Sequence, residues 1–348
     1  APLATNAALV VVLVLLEGSR LPAATQAAWL AGAASAAGLL QLAGVAVAFR
    51  GADAPIRLVR PRWSPSLRKL LARAGLTLVA GGSVPLIVLV GTQVASFTPS
   101  ALSWLHYADR LVQLPLGLIG AVTSIVLLPE WADRLAKGHR DSVAAAQNRA
   151  IETGFLVACP AACALIVLAE PIAAVLFERG AFGPADTRGT AAALAGMSFG
   201  LPFAAAGKVF AQSLFAQGGT RAMLAALAAS LAGTAGAALL LGPSFGALGY
   251  GLAVASGFAL HAWCLAAALR RERLLRLDRR LAVRAGRIAV SSACLGIALG
   301  AALQGMHEPP GPLGLAALFL GGFAFYAAAA VATGALERGD FAPFTKKA

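Results

Sequence analysis

Two adjacent ionisable residues, Asp109 and Arg110, stand inside a very apolar sequence, in the stretch HYADRLVQLPLG that covers residues 106–117. An arginine guanidinium donates two parallel hydrogen bonds to one phosphate or carboxylate. Ionisable side chains within a membrane-spanning segment are costly unless they face a cavity or a partner. One interpretation is therefore a cavity-lining site for an anionic substrate, in which Arg110 binds a phosphate.

The competing interpretation of this pair is structural. Neighbouring residues of a helix do not face one another, so Asp109 and Arg110 do not form a self-contained ion pair. If they begin the helix, Asp109 favours the positive end of the helix dipole and Arg110 extends toward the lipid headgroups. The residues alone leave both interpretations open.

Residues that allow a helix to bend follow Asp109 and Arg110. Pro115 removes a backbone hydrogen bond within the predicted helix and favours a kink. Gly117 and Gly120 allow bending or close helix approach. A kinked helix beside a charged pair suits a moving gate, although it is equally ordinary in a packed membrane helix.

Two further parts of the sequence carry charged residues that could have a function, the stretch 176–187 and Lys208. The stretch LFERGAFGPADT, residues 176–187, holds Glu178 and Arg179 and is either an external gate or a solvated loop. Lys208 is the one lysine inside a predicted span. Its side chain either extends toward the headgroups or faces a cavity as a substrate contact.

The composition identifies the elements that must position these residues. Of the 348 residues 59% are hydrophobic and 12% charged, with a mean hydropathy of +0.78. A soluble domain carries about 25% charged residues. Several apolar stretches reach about 20 residues, enough to cross a bilayer as a helix. The short alternating segments of a transmembrane barrel are absent from the sequence. We therefore predict an all-α polytopic membrane protein.

Ten spans are expected from the apolar stretches. They are 3–16, 24–49, 70–95, 106–128, 148–177, 190–216, 222–241, 246–269, 284–304 and 312–334. The fifth contains Pro160 and Pro171, so it is kinked or ends near Glu170.

The basic residues predict the orientation of these spans. The chain has 28 Lys and Arg residues. With the first span running outward, nearly all of them fall in 50–73, 132–149, 217–221, 270–287 and the tail after 335. The opposite loops hold Arg20, Arg179 and Arg188. Because basic residues concentrate in cytoplasmic loops, the C-terminus is expected in the cytoplasm. The net charge of +13 then reflects contact with anionic lipid headgroups and requires no nucleic acid.

Signatures of enzymes and metal sites are missing from the sequence. The four histidines are scattered without ligand spacing, and no phosphate-binding Walker loop or nucleophile–base pair occurs. Cys159 and Cys163 lie one helical turn apart without a His or carboxylate beside them, which favours a packing role. We predict a protein that is not an enzyme and uses no metal or cofactor.

An internal similarity bears on the architecture. Residues 28–50 align without gaps on residues 249–271, which implies a six-helix period with both copies in the same direction. Parallel repeats of this kind occur in transporters, although Ala- and Gly-rich helices also align by chance. The chain begins APLATNAALVVVLVLLEG, without Met or a basic residue before the apolar run. This start predicts a chain cut inside a helix, with four helices before residue 1 if the repeat is real.

Three sequence blocks resemble those of the MurJ/MviN lipid II flippases of the MOP exporter superfamily. They are ALSWLHYADRLVQLPLGLIGAVTSIVLLPE (101–130), LFERGAFGPADT (176–187) and GLPFAAAGKVFAQSLFAQGGTR (200–221). The resemblance implies a MATE-like fold of fourteen helices, with two six-helix lobes around a central cavity and two extra helices. Residues 1–50 would be helices five and six of the first lobe, 70–269 the second lobe, and 284–334 the extra pair with a groove for the lipid tail.

The resemblance also implies roles for individual residues. Asp109 and Arg110 match the charged pair of the cavity helix, where Arg110 would bind the pyrophosphate or the sugar-peptide head. Gln113 stands where some relatives have Glu, so a carboxylate role is not expected there. Gly91 stands where some relatives have an acid in the preceding helix, which disfavours a cation site.

The function implied by the resemblance is outward movement of lipid II, the undecaprenyl-linked peptidoglycan precursor, by alternating access. The expected protein is a monomeric multi-pass transporter of the bacterial inner membrane whose partners are lipid II and membrane lipids. Two alternatives stay open. One is another exporter of the superfamily, for O-antigen, other polysaccharides or drugs, and the other is a non-transporting membrane scaffold.

Overall fold

The computed structural model is all-helical over the residues that it describes. These are 2–19, 21–50, 63–65, 67–68, 71, 82–126, 140–216, 219–272, 274–306 and 308–336, and no strand occurs among them. Ala and Leu, which dominate the apolar runs, have high helix propensities. A helix also satisfies every backbone hydrogen bond within its own segment, as the lipid phase requires. The predicted all-α fold class is confirmed.

The chain divides into two compact units, Ala1–Arg68 and Lys69–Ala348. In the first unit, helices α1 (Pro2–Leu16) and α2 (Ala23–Arg50) pack against each other. The Gln41 side-chain amide donates a hydrogen bond of 2.7 Å to the Thr5 hydroxyl across this contact. Most large apolar side chains of the pair are exposed, among them Trp29, Leu39 and Leu40.

The second unit contains the remaining described helices. They are α3 (Ser83–Ala95), α4 (Ala101–Val126), α5 (Arg140–Val167), α6 (Ala169–Phe177), α7 (Pro184–Ser198), α8 (Leu201–Ala216), α9 (Thr220–Arg271), α10 (Arg279–Gln304) and α11 (Pro312–Ala332). Helix α9 contacts α3, α7 and α8, while α5 contacts α8 and α10. One apolar core of this unit draws side chains from α3 through α11.

Helix α4 begins earlier than predicted. It starts at Ala101 rather than at 106, directly after Ser100, whose φ is +63°. Asp109 therefore lies more than two turns inside the helix. Because the interaction of a charge with the helix dipole fades within the first turn, the interpretation of Asp109 as a helix-start residue is wrong.

The predicted span over 190–216 is bent rather than continuous. Helices α7 and α8 meet at an angle of 45° at Phe199 and Gly200. A Cβ on Gly200 would lie 2.7 Å from the Phe258 ring and 2.8 Å from the Ala255 Cα. The missing side chain of Gly200 thus lets the bend pack directly onto α9.

The predicted span over 148–177 is interrupted at Leu168, between α5 and α6. Pro171 has no N–H to donate to the carbonyl of Val167, four residues earlier, which is where α5 ends. Pro171 itself lies in the first turn of α6, where proline is tolerated. Pro160 stays within the continuous helix α5.

Helix α9 consists of two helical parts, 220–245 and 247–271. Gly246, with φ +57° and ψ −133°, separates them. Only glycine adopts this conformation readily. The observed break lies at the boundary that the sequence predicted between the spans 222–241 and 246–269.

Close helix crossings rather than bulky side chains hold α7 against the second part of α9. A Cβ on Gly196 would lie 2.6 Å from the Leu248 carbonyl oxygen, and one on Gly251 would lie 2.4 Å from the Ala193 carbonyl oxygen. Small residues allow such approach of two backbones in membrane proteins.

Five described helices are long and apolar enough to cross a membrane, and the bent pair α7–α8 makes a sixth if it counts as one span. These five helices are α2, α5, α9, α10 and α11. The predicted total of ten spans stays a prediction.

Candidate substrate-binding face

The polar side chains of α4 lie along one face of this helix. His106, Arg110, Gln113 and Gly117 are all exposed and follow one another at intervals of three or four residues. That spacing places them in one stripe along the helix. The opposite side is buried in the core and consists of Leu105, Ala108, Leu111, Val112, Leu116 and Ile119.

Arg110 lies well inside the helix. It follows Ala101 by nine residues, which places it about 14 Å along the helix axis at 1.5 Å per residue. Within the described part of the chain its guanidinium has no hydrogen-bond or ion-pair partner. An exposed arginine at such a position requires water or an anionic partner. All five of its N–H groups are therefore available to a ligand.

Asp109 pairs with Gln113 rather than with Arg110. The Gln113 amide nitrogen donates to the Asp109 carboxylate, four residues away along the helix. An ionised carboxylate accepts only, so the amide NH₂ must face Asp109 and the Gln113 carbonyl oxygen points elsewhere. This interaction holds the Gln113 side chain against the helix and leaves Arg110 free.

Lys208 reaches α4 from α8. Its ammonium donates a hydrogen bond of 2.7 Å to the backbone carbonyl oxygen of Leu116. A Cβ on Gly120 would lie 3.3 Å from this nitrogen, so the glycine leaves room for the approach. Gly120 follows Gln113 by seven residues, two turns along the same side of α4. Lys208 therefore borders the polar stripe but does not meet Arg110.

The two expected gate residues of α4 sit differently. Pro115 is half-buried within a helix that continues past it, and it leaves the Leu111 carbonyl without its intrahelical donor. Gly117 is exposed, and no atom lies within 4 Å of the position that its Cβ would take. Gly117 thus faces open space in the stripe rather than a helix contact.

The segment with Glu178 and Arg179 is tied down by local hydrogen bonds. Glu178 accepts a bond of 2.6 Å from the Thr187 hydroxyl. Arg179 donates to the carbonyl of Leu176. Both charged side chains are exposed but bonded within their own loop. Their role as a gate stays a prediction.

The same loop is anchored to the start of α4. Asp186 accepts a bond of 2.9 Å from the Trp104 indole nitrogen and one of 3.2 Å from the Gly183 backbone nitrogen. Next to it, the rings of Tyr107, Phe177 and Phe182 pack with centroids 4.8 to 5.9 Å apart. These contacts fix the first two turns of α4, and hence the direction of the polar stripe.

The sequence reasoning did not identify one buried ion pair, between Glu152 of α5 and Arg284 of α10. Their closest atoms are 2.6 Å apart, and the two side chains are 2% and 4% exposed. The Arg284 Nε also donates to the Ala335 carbonyl at 3.0 Å. The sequence feature that could have indicated an ion pair is Glu152 itself, because it is an acidic residue within the predicted span 148–177. Its partner lies 132 residues away, so sequence spacing does not reveal it.

The described residues contain no group of three His, Cys, Asp or Glu side chains that could hold a metal ion. Gly91, where some relatives were expected to have an acid, is buried against α9. A Cβ there would lie 2.5 Å from a methyl group of Val254. The four cysteines are free thiols.

The sequence model described as lipid II flippase MurJ matches residues 1–311. A relative in Rhizobium meliloti (strain 1021), named "Probable lipid II flippase MurJ", is 38% identical over 290 residues, 82% of this chain and 54% of the relative. A relative of the same name in Rhizobium tropici is 36% identical over 272 residues, 78% of this chain and 51% of its own length.

A solved structure shares the fold. It is titled "Lipid II flippase MurJ, inward closed conformation" and matches with a TM-score of 0.70 at 18% sequence identity. The match covers 94% of this chain and 65% of the solved one. The chain spans about half the length of the two Rhizobium relatives that it matches.

Proposed function

The chain belongs to the lipid II flippase MurJ family, and we propose that it carries one half of a lipid II transport pathway. The family is one of inner-membrane multi-pass transporters and not of enzymes, as the sequence predicted. The proposed activity is movement of the undecaprenyl-pyrophosphate-linked precursor from the cytoplasmic to the periplasmic leaflet. The observation that carries the proposal is that Arg110, inside α4, is exposed and has no partner among the described residues.

The polar stripe has the chemistry that a pyrophosphate-linked sugar requires. Arg110 binds the pyrophosphate through two parallel N–H bonds, which are stronger when both partners are charged. Gln113, held by Asp109, presents its carbonyl oxygen to a sugar hydroxyl or a peptide N–H. Lys208, at the border of the stripe, stays a proposed further contact to the substrate.

Alternating access requires α4 to change shape or tilt, and its residues favour this. Pro115 has already removed one backbone hydrogen bond, so bending there breaks one bond fewer. Gly117 meets no neighbouring atom within 4 Å and offers no steric resistance. We assign Pro115 and Gly117 to the moving part, and the loop with Glu178 and Arg179 to the outer closure.

The proposed arrangement in the membrane follows from charge. With most Lys and Arg residues on one side, the C-terminus lies in the cytoplasm. Residues 70–269 form the intact lobe, residues 1–50 belong to the other lobe, and residues 284–334 line a groove for the polyprenyl tail. The transporter works as a monomer.

Ligand binding by the purified 348-residue chain tests the site. Removal of a bidentate contact to a charged group corresponds to roughly 1.5–3 kcal/mol, so Arg110→Ala should weaken lipid II binding about 10- to 100-fold. Arg110→Lys should recover part of it, because lysine keeps the charge without the planar fork. Arg188→Ala, an exposed arginine of α7, is the matched control. Equal affinity of Arg110→Ala and the unchanged chain would contradict the site.

A cellular assay tests transport itself. The chain is fused to the part of the Rhizobium meliloti relative that it does not match, and the fusion is expressed in cells depleted of their own flippase. Growth that depends on Arg110 at unchanged membrane levels supports a lipid II flippase. Binding of O-antigen-linked lipid in preference to lipid II favours another exporter of the superfamily, and no binding of either favours a scaffold.

A further inference from the structure

An apolar cleft of about 350 Å³ opens between α5, α8, the second part of α9 and the start of α10. Its walls carry three phenylalanines and one tryptophan and are otherwise aliphatic. Those aromatic side chains are Phe155, Phe203, Phe210 and Trp263. Trp263 is 67% exposed, so the cleft is open to the surroundings of the helix bundle rather than sealed within it. Cleft-lining residues come from neither α4 nor α11.

One end of the cleft is bordered by arginines. Ala266 lines the cleft on α9, and Arg270 lies one turn beyond it on the same face. Ala282 lines the cleft on α10, and Arg279 lies one turn before it on the same face. Both arginines are exposed and have no partner among the described residues. They stand at the same end, because the connection between α9 and α10 spans only residues 272–278.

The charge around this end is strongly positive. The stretch 270–280 contains six arginines against Glu272 and Asp278. Asp278 is occupied as the N-cap of α10, where its carboxylate accepts a bond of 2.7 Å from the Leu281 backbone nitrogen. An apolar trough that ends beside Arg270 and Arg279, both without a partner among the described residues, is complementary to a molecule with a hydrocarbon chain and an anionic head.

The volume narrows the choice of molecule. About 350 Å³ lies at the lower end of the range of ligand pockets, roughly 300–1,000 Å³. That space suits one segment of an acyl chain and is small for a long branched polyprenyl tail. The predicted orientation places the arginine end in the cytoplasmic leaflet, where the anionic lipids of a membrane concentrate.

We propose that this cleft binds an anionic phospholipid of the cytoplasmic leaflet, with one acyl chain between α8, α9 and α10 and its phosphate on Arg270 and Arg279. The lipid would fill the cleft where α8 and the second part of α9 face the start of α10. Because no residue of α4 lines the cleft, this site does not depend on the proposed role of Arg110 or on the proposed flippase function.

Trp263 supplies a direct probe of the cleft. The chain contains five tryptophans, so a variant in which the other four are Phe reports from this position alone. It is reconstituted with increasing mole fractions of phosphatidylglycerol or phosphatidylcholine brominated on the acyl chain, since bromine quenches tryptophan fluorescence at contact. We expect half-maximal quenching by phosphatidylglycerol at a mole fraction at least about five-fold lower than that of phosphatidylcholine. A five-fold factor corresponds to about 1 kcal/mol, the contribution of one basic residue near an anionic surface.

Four variants locate the effect. Arg270→Gln with Arg279→Gln should remove the preference for the anionic lipid, whereas Arg221→Gln, an exposed arginine at the start of α9, should keep it. Ala282→Phe should fill the cleft and weaken quenching by both lipids. A chain whose only tryptophan is Trp29 of α2, 60% exposed, should show no preference.

Two results would overturn the proposal. The first is equal quenching of Trp263 by the two lipids, which would make the cleft an unselective groove. The second is recovery of fluorescence by unbrominated undecaprenyl phosphate but not by unbrominated phosphatidylglycerol, which would make it a site for the substrate's tail. Loss of lipid II binding in Arg110→Ala with intact quenching at Trp263 would leave this inference standing.

Discussion

The Lys208 ammonium lies 2.7 Å from the carbonyl oxygen of Leu116, one residue after Pro115. In a regular helix this carbonyl accepts from the N–H of Gly120, and its second lone pair is free for another donor. The absence of a side chain on Gly120 lets the ammonium approach. Lys208 thereby links α8 to α4 next to the proline, within the apolar part of the bundle.

We expect Lys208→Met to loosen this link without unfolding the chain, because methionine keeps the length of the side chain but donates no hydrogen bond. Spin labels on α4 and α8, at the exposed positions Leu118 and Phe215, should show a broader distance distribution in this variant. The four native cysteines are first replaced by serine or alanine. Lys208→Arg keeps a donor and is the control. An unchanged width for Lys208→Met would contradict the link.

The buried pair of Glu152 and Arg284 leads to a prediction about stability. Arg284→Met should lower the free energy of unfolding by about 3–5 kcal/mol, because it leaves the Glu152 carboxylate buried without its main partner. Adding Glu152→Leu should recover most of that loss, since a buried apolar pair is often as stable as an ion pair. Denaturation in detergent, followed by circular dichroism, measures both.

The control for the ion pair is Arg271→Met. Arg271 is exposed at the end of α9, and surface substitutions usually change stability by less than about 0.5 kcal/mol. If the double variant is as unstable as Arg284→Met, the remaining bond of Arg284 to the Ala335 carbonyl is the important contact instead.

Gly196 and Gly236 should respond to alanine with opposite signs. A Cβ on Gly196 would lie 2.6 Å from the Leu248 carbonyl oxygen, a backbone atom that cannot rotate away. We expect Gly196→Ala to destabilise the chain by about 1–3 kcal/mol, as other overpacked cores do. Gly236, within α9, has no atom within 4 Å of its Cβ position, so alanine should stabilise the helix by up to about 1 kcal/mol. Thermal unfolding of both variants in the same detergent measures whether each substitution lowers or raises the stability.

Asp186 should matter for the position of α4 as well as for the start of α7. Asp186→Ala removes the acceptor of the Trp104 indole N–H, and an unpaired half-buried donor costs about 1–3 kcal/mol. Asp186→Asn keeps one acceptor oxygen and should lose less. The emission of Trp104, in a variant without the other tryptophans, should shift in the alanine variant but not in Arg188→Ala. An unshifted emission in Asp186→Ala would indicate that the indole bond is dispensable.

Some features of the candidate site were predictable from the sequence, and others were not. An arginine within an apolar helix is a candidate ligand by residue type alone, and Arg110 was identified in this way. Its exposure and its lack of a partner among the described residues depend on how α3, α5, α7 and α8 pack around α4. The sequence analysis excluded Arg110 as a self-contained partner of Asp109 but did not identify Gln113, one turn further along the helix, as the donor.

Some helix boundaries were likewise predictable from the sequence, and others were not. The break at Gly246 lies three residues after Pro243, and the predicted spans separate there. The bend at Phe199 and Gly200 lies within an unbroken apolar run, so hydropathy carries no sign of it. It arises because Gly200 lets α7 and α8 turn against Ala255 and Phe258 of α9.

The sequence by itself determined an all-helical membrane chain of the flippase family, because an apolar phase requires each segment to satisfy its own backbone hydrogen bonds. That requirement is local, so composition and apolar runs of about 20 residues are enough to meet it. Only the tertiary structure decided that Glu152 meets Arg284, that Lys208 meets Leu116, and that Arg110 meets no partner in the part of the chain that the structure describes. These are contacts between side chains far apart in the chain, and they depend on the angles and rotations at which helices cross rather than on spacing along any one of them.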